Sequence, residues 1–207
     1  MNSFRVAVLA SGKGTNLQAI LDRVHGRDGI EVVGVVSNKS DAQALERARA
    51  AAVETAVFER SGFEDRAARD QAIGDWLTER DVDLVVLAGY MELLAAGFVR
   101  RFANRIVNVH PALLPAFSGL DAVGQALEHG VRLTGVTVHF VDEGVDSGPI
   151  ILQRAIEVPY TRERSELEDE IHRVEHELLP RAIRLIAKGA VRVDAENPRL
   201  VHVDEEP

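Results

Sequence analysis

The chain has 207 residues, with 24 Lys and Arg against 33 Asp and Glu, which gives a formal net charge of −9. This acidic balance argues against a nucleic-acid backbone as the main partner, because such binding needs a field of basic side chains. The sequence contains no cysteine, which excludes disulfides, thiol catalysis and thiolate zinc sites. Without an apolar run of about 20 residues or a signal-peptide pattern, it predicts a cytoplasmic protein that binds neither membrane nor nucleic acid.

Short apolar runs alternate with amphipathic stretches through the first half of the chain. The runs are rich in β-branched residues, as strands buried on both faces should be, and they cover 6–10, 32–36, 84–88 and 106–109. Between them, residues 17–24 and 63–80 have the apolar spacing of helices. The alternation predicts an α/β fold: a Rossmann-like, open, mostly parallel twisted sheet with helices on both faces.

The pattern changes after Thr134. Apolar and polar residues alternate over 136–140, and a second apolar run over 150–156 follows a glycine-rich loop. Alternation of this kind is typical of strands with one solvated face. We therefore expect a mixed or antiparallel C-terminal part of the sheet.

A long helix is predicted near the C-terminus. Ser165 and Glu168 have the spacing of a capping box, which predicts the helix start. Pro180 is expected to kink or split the helix, and Gly189 to end it. With no internal repeat or low-complexity linker, we expect a single domain over 1–193 and a short, acidic, weakly ordered tail over 194–207.

A glycine-rich turn, SGKGTN at 11–16, joins the first predicted strand to the first helix. Ligands bind at this position in open α/β sheets, and the amides of a helix N-terminus favour a phosphate. The spacing matches neither G-x-G-x-x-G nor the Walker loop. Two interpretations stay open: a phosphate or phosphosugar site, or a tight turn in which Thr15 or Asn16 caps the helix.

Asn108 and His110 stand two residues apart at the end of a predicted strand, immediately before Pro111. Residues two apart on a strand point to the same face, so an amide and an imidazole should lie side by side. Such a pair suits a developing oxyanion, and a nearby carboxylate, for which Asp146 is the candidate, would favour a protonated His110. The alternative is a partly buried, hydrogen-bonded histidine and an aspartate that serves only a turn.

Five motifs occur in an order that carries a family resemblance: SGKGTNLQ at 11–18, LAGYM at 87–91, NVHPALLP at 108–115, TVHFV at 137–141 and DSGPI at 146–150. Over residues 4 to about 193 the chain resembles the phosphoribosylglycinamide formyltransferases, a branch of the folate-dependent formyltransferase superfamily. The resemblance implies an enzyme of purine biosynthesis that transfers the formyl group of 10-formyltetrahydrofolate, a co-substrate, to the amine of glycinamide ribonucleotide. It implies no metal.

The resemblance also implies roles for individual residues. Asn108 would orient the formyl group, and His110 would donate a proton and stabilise the oxyanion. Asp146 would raise the pKa of His110 and order a water molecule that relays protons. The N-terminal half, about 1–105, would bind the phosphoribosyl group, and the C-terminal half, about 106–193, would carry catalysis and folate binding.

The binding residues implied by the resemblance fall into two sets. Those for the ribonucleotide are Gly14, Thr15, Asn16, His172 and Glu175. Those for the folate are Arg66, Met91, Glu92, Leu93, Leu94, Asn108, Asp142, Glu143, Gly144, Val145 and Asp146.

Some positions depart from the forms common in the family: Lys13, Glu92, Ser118, Asp121 and His172. Glu92 stands where arginine is frequent, which puts a side-chain contact with folate in doubt there but leaves backbone contacts possible. The partners expected are small-molecule substrates, with the protein a monomer or a homodimer.

Three rival functions stay open at the level of sequence. A formyltetrahydrofolate hydrolase or another formyl-folate transferase would share Asn108, His110 and Asp146. A nucleotide-binding module without catalysis would share the fold. A zinc peptidase would use the H-x-x-E-H pattern formed by His172, Glu175 and His176.

Overall fold

The computed structural model describes residues 3–161 and 163–204. Within these ranges the strands are β1 (Phe4–Leu9), β2 (Ile30–Ser37), β3 (Thr55–Val57), β4 (Leu84–Leu87), β5 (Ile106–His110), β6 (Leu133–Phe140), β7 (Ile150–Glu157), β8 (Val191–Val193) and β9 (Val201–Val203). The helices are α1 (Thr15–Arg23), α2 (Gln43–Ala50), α3 (Arg66–Thr78), α4 (Ala96–Arg101), α5 (Ala122–His129) and α6 (Arg164–Ala187), with a 3₁₀ turn at Arg60–Gly62.

Seven strands form one sheet in the order β3-β2-β1-β4-β5-β6-β7. β1 pairs in parallel with β2 and β4, and β2 with β3, whereas β6 and β7 are antiparallel. The predicted strands of the first half are all present and buried, and the predicted change of pattern after Thr134 corresponds to the antiparallel pair. The predicted fold class, a mostly parallel α/β sheet with a mixed C-terminal part, is confirmed.

The chain divides into two compact units, the N-terminal unit (Met1–Val107) and the C-terminal unit (Asn108–Pro207). In the N-terminal unit, β1 is buried along Val6–Leu9, and Leu17 and Ile20 of α1 are fully buried. Gly34 of β2 lies against Trp76 of α3, where an added Cβ would come within 2.3 Å of the indole ring. In the C-terminal unit, α6 contacts both β6 and β7.

Helix α6 begins one residue before Ser165, close to the predicted start, but its cap differs from the prediction. It begins at Arg164 after Glu163, without a side-chain cap, so the predicted capping box at Ser165 is wrong. Glu168 instead accepts a hydrogen bond from Arg164 (Nε to Oε1, 2.6 Å). An i, i+4 ion pair at the helix surface replaces the expected contact because the backbone has already become helical at Ser165.

Helix α6 also runs unbroken through Pro180, so the predicted split does not occur. Proline removes one hydrogen bond from the helix, and the burial of the apolar face offsets that loss. The end at Gly189 is confirmed: Gly189 has φ 71°, and its N–H and that of Ala190 donate to Ile186 and Leu185 (both 2.9 Å). Among the described helices, none combines the length and apolar character needed to cross a bilayer.

The predicted weakly ordered tail is wrong for residues 194–204. β8 and β9 pair as an antiparallel hairpin whose connection is organised by Asp194. The Asp194 carboxylate accepts hydrogen bonds from the N–H groups of Glu196 (2.9 Å) and Asn197 (2.8 Å) and contacts His202 Nε2 (2.8 Å). The last three residues of the predicted tail, 205–207, lie outside the described residues.

Candidate active site

Asn108 and His110, the two side chains predicted to share a face of β5, both contact Asp146. Asn108 Nδ2 lies 3.4 Å from Asp146 Oδ1, and His110 Nδ1 lies 3.3 Å from Asp146 Oδ2. His110 is 5% exposed. The C-terminal unit therefore brings an amide, an imidazole and a carboxylate together in a largely buried cluster, where electrostatic interactions are stronger than in water.

Backbone geometry holds Asp146 in this place. Its φ of 50° lies in the left-handed region, which aspartate and asparagine tolerate better than most residues. The N–H of Gly119 donates to Asp146 Oδ2 (2.8 Å). Earlier in the same loop, Asp142 Oδ1 accepts hydrogen bonds from the N–H of Gly144 (3.0 Å) and the hydroxyl of Ser147 (2.7 Å). Contacts within the protein thus hold the Asp146 carboxylate in place.

A second imidazole, not predicted as a site residue from the sequence, completes the cluster. His139 on β6 is 1% exposed, and its Nε2 lies 3.3 Å from Asn108 Nδ2 and 3.7 Å from Asp146 Oδ1. Its Nδ1 lies 2.7 Å from the Phe140 carbonyl oxygen, so Nδ1 carries the proton and Nε2 accepts. Burial lowers the pKa of His139, outweighing the Phe140 hydrogen bond and the Asp146 charge, and this favours the same neutral form. The sequence signal was a histidine within an apolar strand.

The two acceptors, His139 Nε2 and the Asp146 carboxylate, set the orientation of the Asn108 amide. Its NH₂ group is directed at both of them, which leaves its carbonyl oxygen on the opposite side. We expected the pair of Asn108 and His110 to face a developing oxyanion, to which the amide NH₂ group would donate. The structure instead directs that group at protein acceptors, because a carboxylate cannot donate to the amide oxygen.

The ring of His110 lies between two oxygen atoms. Nδ1 faces Asp146, and Nε2 lies 2.8 Å from the carbonyl oxygen of Phe117, a residue with φ 54°. Because the Phe117 carbonyl oxygen can only accept, Nε2 carries the proton in this hydrogen bond. A substrate oxygen that replaced the Phe117 carbonyl would therefore meet a hydrogen-bond donor.

In the N-terminal unit, the glycine turn (residues 11–16) leads directly into α1. Gly14 precedes the helix with φ 69°, and the N–H of Gln18 donates to its carbonyl oxygen (2.9 Å). The helix thus starts at Thr15, and neither Thr15 nor Asn16 is its N-cap, contrary to that interpretation of the turn. The first-turn amides have no acceptor within α1, as at every helix start, which is compatible with an anion site.

Arg66 and the segment 91–94 also lie in the N-terminal unit. Arg66 is the first residue of α3, after Asp65, whose carboxylate caps the helix by accepting from the N–H of Ala68 (2.8 Å). Met91 is 71% exposed and Leu93 59%, so these apolar side chains do not belong to the core. An open cavity of about 330 Å³ is lined by Arg60, Arg66, Arg69, Met91, Glu92 and Leu93.

On α6, Glu175 is 6% exposed and lies one turn from the buried Ile171 and Leu179, whereas His172 is exposed. The rings of His172 and His176 stack with their centroids 6.3 Å apart. In the described part of the chain, no group of three or more His, Asp or Glu side chains is arranged to hold a metal ion. Among the described residues, His172 and His176 therefore stack on each other without the third ligand that a zinc site needs.

The mostly parallel sheet and the cluster of Asn108, His110 and Asp146 agree with the class of protein that the family resemblance implied. Residues 4–183 match the family model described as formyl transferase, and the chain belongs to this family. It is 43% identical over 190 residues to phosphoribosylglycinamide formyltransferase from Haemophilus influenzae, covering 91% of this chain and 90% of the relative. It is also 43% identical over 203 residues to the trifunctional purine biosynthetic protein adenosine-3 from Bos taurus, covering 98% of this chain but only 20% of that longer protein.

A solved structure gives the same result for the fold. The crystal structure of glycinamide ribonucleotide transformylase 1 from Symbiobacterium toebii superposes with a TM-score of 0.93 at 46% identity, covering 98% of this chain and 95% of that chain. The similarity thus extends over both units, including the motifs on which the predicted site depends.

Proposed function

We propose that this protein transfers the formyl group of 10-formyltetrahydrofolate to the amine of glycinamide ribonucleotide, in purine biosynthesis. The observation that carries the proposal is the cluster of Asn108, His110 and Asp146 in a chain of the formyl transferase family. The relatives named for glycinamide ribonucleotide cover most of the chain and support this acceptor.

In the proposed reaction, the amine nitrogen attacks the formyl carbon and the carbonyl oxygen becomes an oxyanion. His110 donates to that oxygen through Nε2 while Asp146 faces its other ring nitrogen. The tetrahedral intermediate collapses by breaking the bond between the formyl carbon and N10 of the folate. N10 takes up a proton and the former amine loses one, so the transfer is redox-neutral.

Asn108 has a more specific role in this proposal than the family resemblance implied. Because its NH₂ group is directed at Asp146 and His139, its carbonyl oxygen is the atom that would accept a hydrogen bond from the attacking amine. This contact would orient the amine toward the formyl carbon. Orientation of the reactants and electrostatic stabilisation would then supply most of the catalysis.

The substrate contacts are proposals of the same kind. The glycine turn, through Gly14, Thr15 and Asn16, would bind the phosphate of the ribonucleotide, and Glu175 would bind its glycinamide end. His172 would contact the same substrate. The folate would contact Arg66, the folate segment (residues 91–94) and the loop 142–146. A cytoplasmic location and a monomeric or homodimeric state stay predictions from the sequence.

The test is an assay of formyl transfer followed by the absorbance of the released folate. Release that depends on glycinamide ribonucleotide, with formation of the formylated ribonucleotide, is expected. Release of the same folate without an acceptor would favour the hydrolase. Binding of both ligands without turnover would favour a module that has lost its chemistry.

A further inference from the structure

A hydrogen-bonded bridge of side chains connects the glycine turn to the folate segment within the N-terminal unit. The hydroxyl of Ser11 donates to Asn38 Oδ1 (2.6 Å) and accepts from the N–H of Met91 (2.9 Å). Asn38 Nδ2 donates in turn to Glu92 Oε1 (3.2 Å). The bridge therefore joins the two parts of this unit to which the proposed function assigns different substrates.

The bridge ends on a buried ion-pair cluster. Glu92 Oε2 lies 3.1 Å from Arg69 Nη1, and Arg69 and Asp70 are each only 1% exposed. Arg69 donates to Asp70 Oδ1 through Nε (3.0 Å) and Nη2 (2.8 Å), and Asp70 Oδ2 accepts from the N–H of Ala95 (2.6 Å). The folate segment is thus held by Ser11 at Met91, its first residue, and by Asp70 at Ala95, the residue that follows it.

The side chain of Glu92 is directed at the protein rather than outward. Burial alone would raise the pKa of Glu92, but the hydrogen bonds from Arg69 and Asn38 and the charge of Arg69 outweigh it, so the pKa lies below its usual value. Met91 and Leu93, on either side of it, are exposed. An acidic residue at this position therefore anchors the segment, whereas its neighbours present the surface that a ligand would meet.

We infer that Glu92 is a positioning residue: through Arg69 and Asn38 it fixes the folate segment and couples it to the glycine turn, so that binding of one substrate strengthens binding of the other. The inference rests on the proposed function. A bridge that is ordered by one ligand offers the second ligand a more ordered site, and such coupling is reciprocal.

Two variants separate the two halves of the bridge. Glu92→Gln keeps an oxygen for Asn38 but removes the charge that faces Arg69. Asn38→Ala keeps the ion pair but breaks the link to Ser11. Glu54→Gln is the matched control, because Glu54 is hydrogen-bonded to Arg80 in the same unit but is 55% exposed and lies outside the bridge.

The measurement uses tetrahydrofolate and glycinamide ribonucleotide, which together cannot react because neither carries a formyl group. The Kd of each is determined by calorimetry, alone and with the other ligand saturating. We expect each ligand to tighten the other about fivefold or more in the wild type. Glu92→Gln should raise the Kd of tetrahydrofolate about tenfold, and Asn38→Ala should bring the coupling factor close to one.

The outcomes separate this inference from the proposed function. If the wild type binds neither ligand, the proposed function fails. If both ligands bind but the variants keep the wild-type Kd values and coupling factor, the positioning role is wrong and the proposed function stands. If Glu54→Gln produces the same changes as Glu92→Gln, the effect is general to charge removal, which also overturns the inference.

Discussion

Asp146 combines an unusual backbone conformation with contacts to several polar groups. It adopts φ 50°, and its carboxylate lies near Asn108, His110, His139 and the N–H of Gly119. Conformations of this kind persist where the surrounding structure fixes them, and they cluster at functional sites. At the scale of single residues, this position offers the sharpest test of the site.

Replacing Asp146 by asparagine should remove the charge and preserve the backbone, because asparagine tolerates the same φ. We expect kcat to fall by about 100-fold or more, since His110 loses the carboxylate that faces Nδ1. Steady-state formyl transfer measures the change. The control is Asp81→Asn, at an exposed aspartate with φ 47°, which should retain the wild-type rate. An Asp146→Asn enzyme with full activity would exclude the assigned role.

His139 can be tested with a matched pair of variants. In His139→Gln the side-chain oxygen can accept from Asn108 in place of Nε2. In His139→Asn the amide can donate to the Phe140 carbonyl in place of Nδ1 but does not reach Asn108. We expect kcat to be about tenfold lower in His139→Asn than in His139→Gln. The reason is that His139→Asn loses the hydrogen bond that orients the Asn108 amide, and one hydrogen bond corresponds to about tenfold in rate. Equal rates in two folded variants would contradict the orienting role.

His139 also makes stability depend on pH. Because burial lowers its pKa below 6.5, the unfolded chain takes up a proton near pH 6.5 that the folded chain does not. The contribution of neutral His139 to the free energy of unfolding is therefore complete above pH 6.5. It decreases as the pH falls toward the lowered pKa. Urea unfolding between about pH 5 and 8, followed by the fluorescence of Trp76, should show a shallower acid-side decline in His139→Gln. An unchanged slope would exclude this contribution.

At the scale of elements, the start of α1 depends on the close approach of α2. Gly14 has φ 69°, and an added Cβ would lie 2.8 Å from both Cα and Cβ of Ala44 in α2. The two helices can therefore be this close only because position 14 has no side chain. The same backbone conformation directs the first amides of α1 out of the helix end.

Gly14→Ala should lower the free energy of unfolding by about 1–2 kcal/mol through backbone strain alone, with the clash adding to it. It should also raise the KM for the ribonucleotide more than it lowers kcat, because the proposed phosphate site is disturbed. Gly12→Ala is the control, since an added Cβ there meets nothing within 4 Å. Urea unfolding and initial rates of both variants give the comparison. Similar stability losses in the two would show that close packing at Gly14 is unimportant.

At the scale of the whole molecule, the proposed chemistry depends on hydrogen bonds and orientation, whereas the zinc-peptidase alternative depends on a metal. Dialysis against a chelator should leave the rate of formyl transfer unchanged within error. Elemental analysis of the dialysed and untreated protein is the companion measurement. Stoichiometric zinc whose removal abolishes activity would replace the proposed function with the metal-dependent one.

Local sequence predicted the buried strands well because their pattern is dictated by burial on both faces. It also placed Asn108 and His110 on one face of β5, because the strand period of two leaves no other choice. It failed at Ser165, where a capping pattern lies inside a helix that had already begun. It failed again after Asp194, where the acidic composition concealed a hairpin whose side-chain contacts form only after the chain has turned back.

The amino-acid sequence by itself determined the α/β class, the family and the residue types at the candidate site, because periodicity and motif order are properties of the chain. Only the tertiary structure decided that His139 orients Asn108 and that Glu92 is held by Arg69 and Asn38. Those contacts join residues 31, 23 and 54 positions apart. No local pattern encodes them, because the folded backbone and the burial of each polar group select the partners.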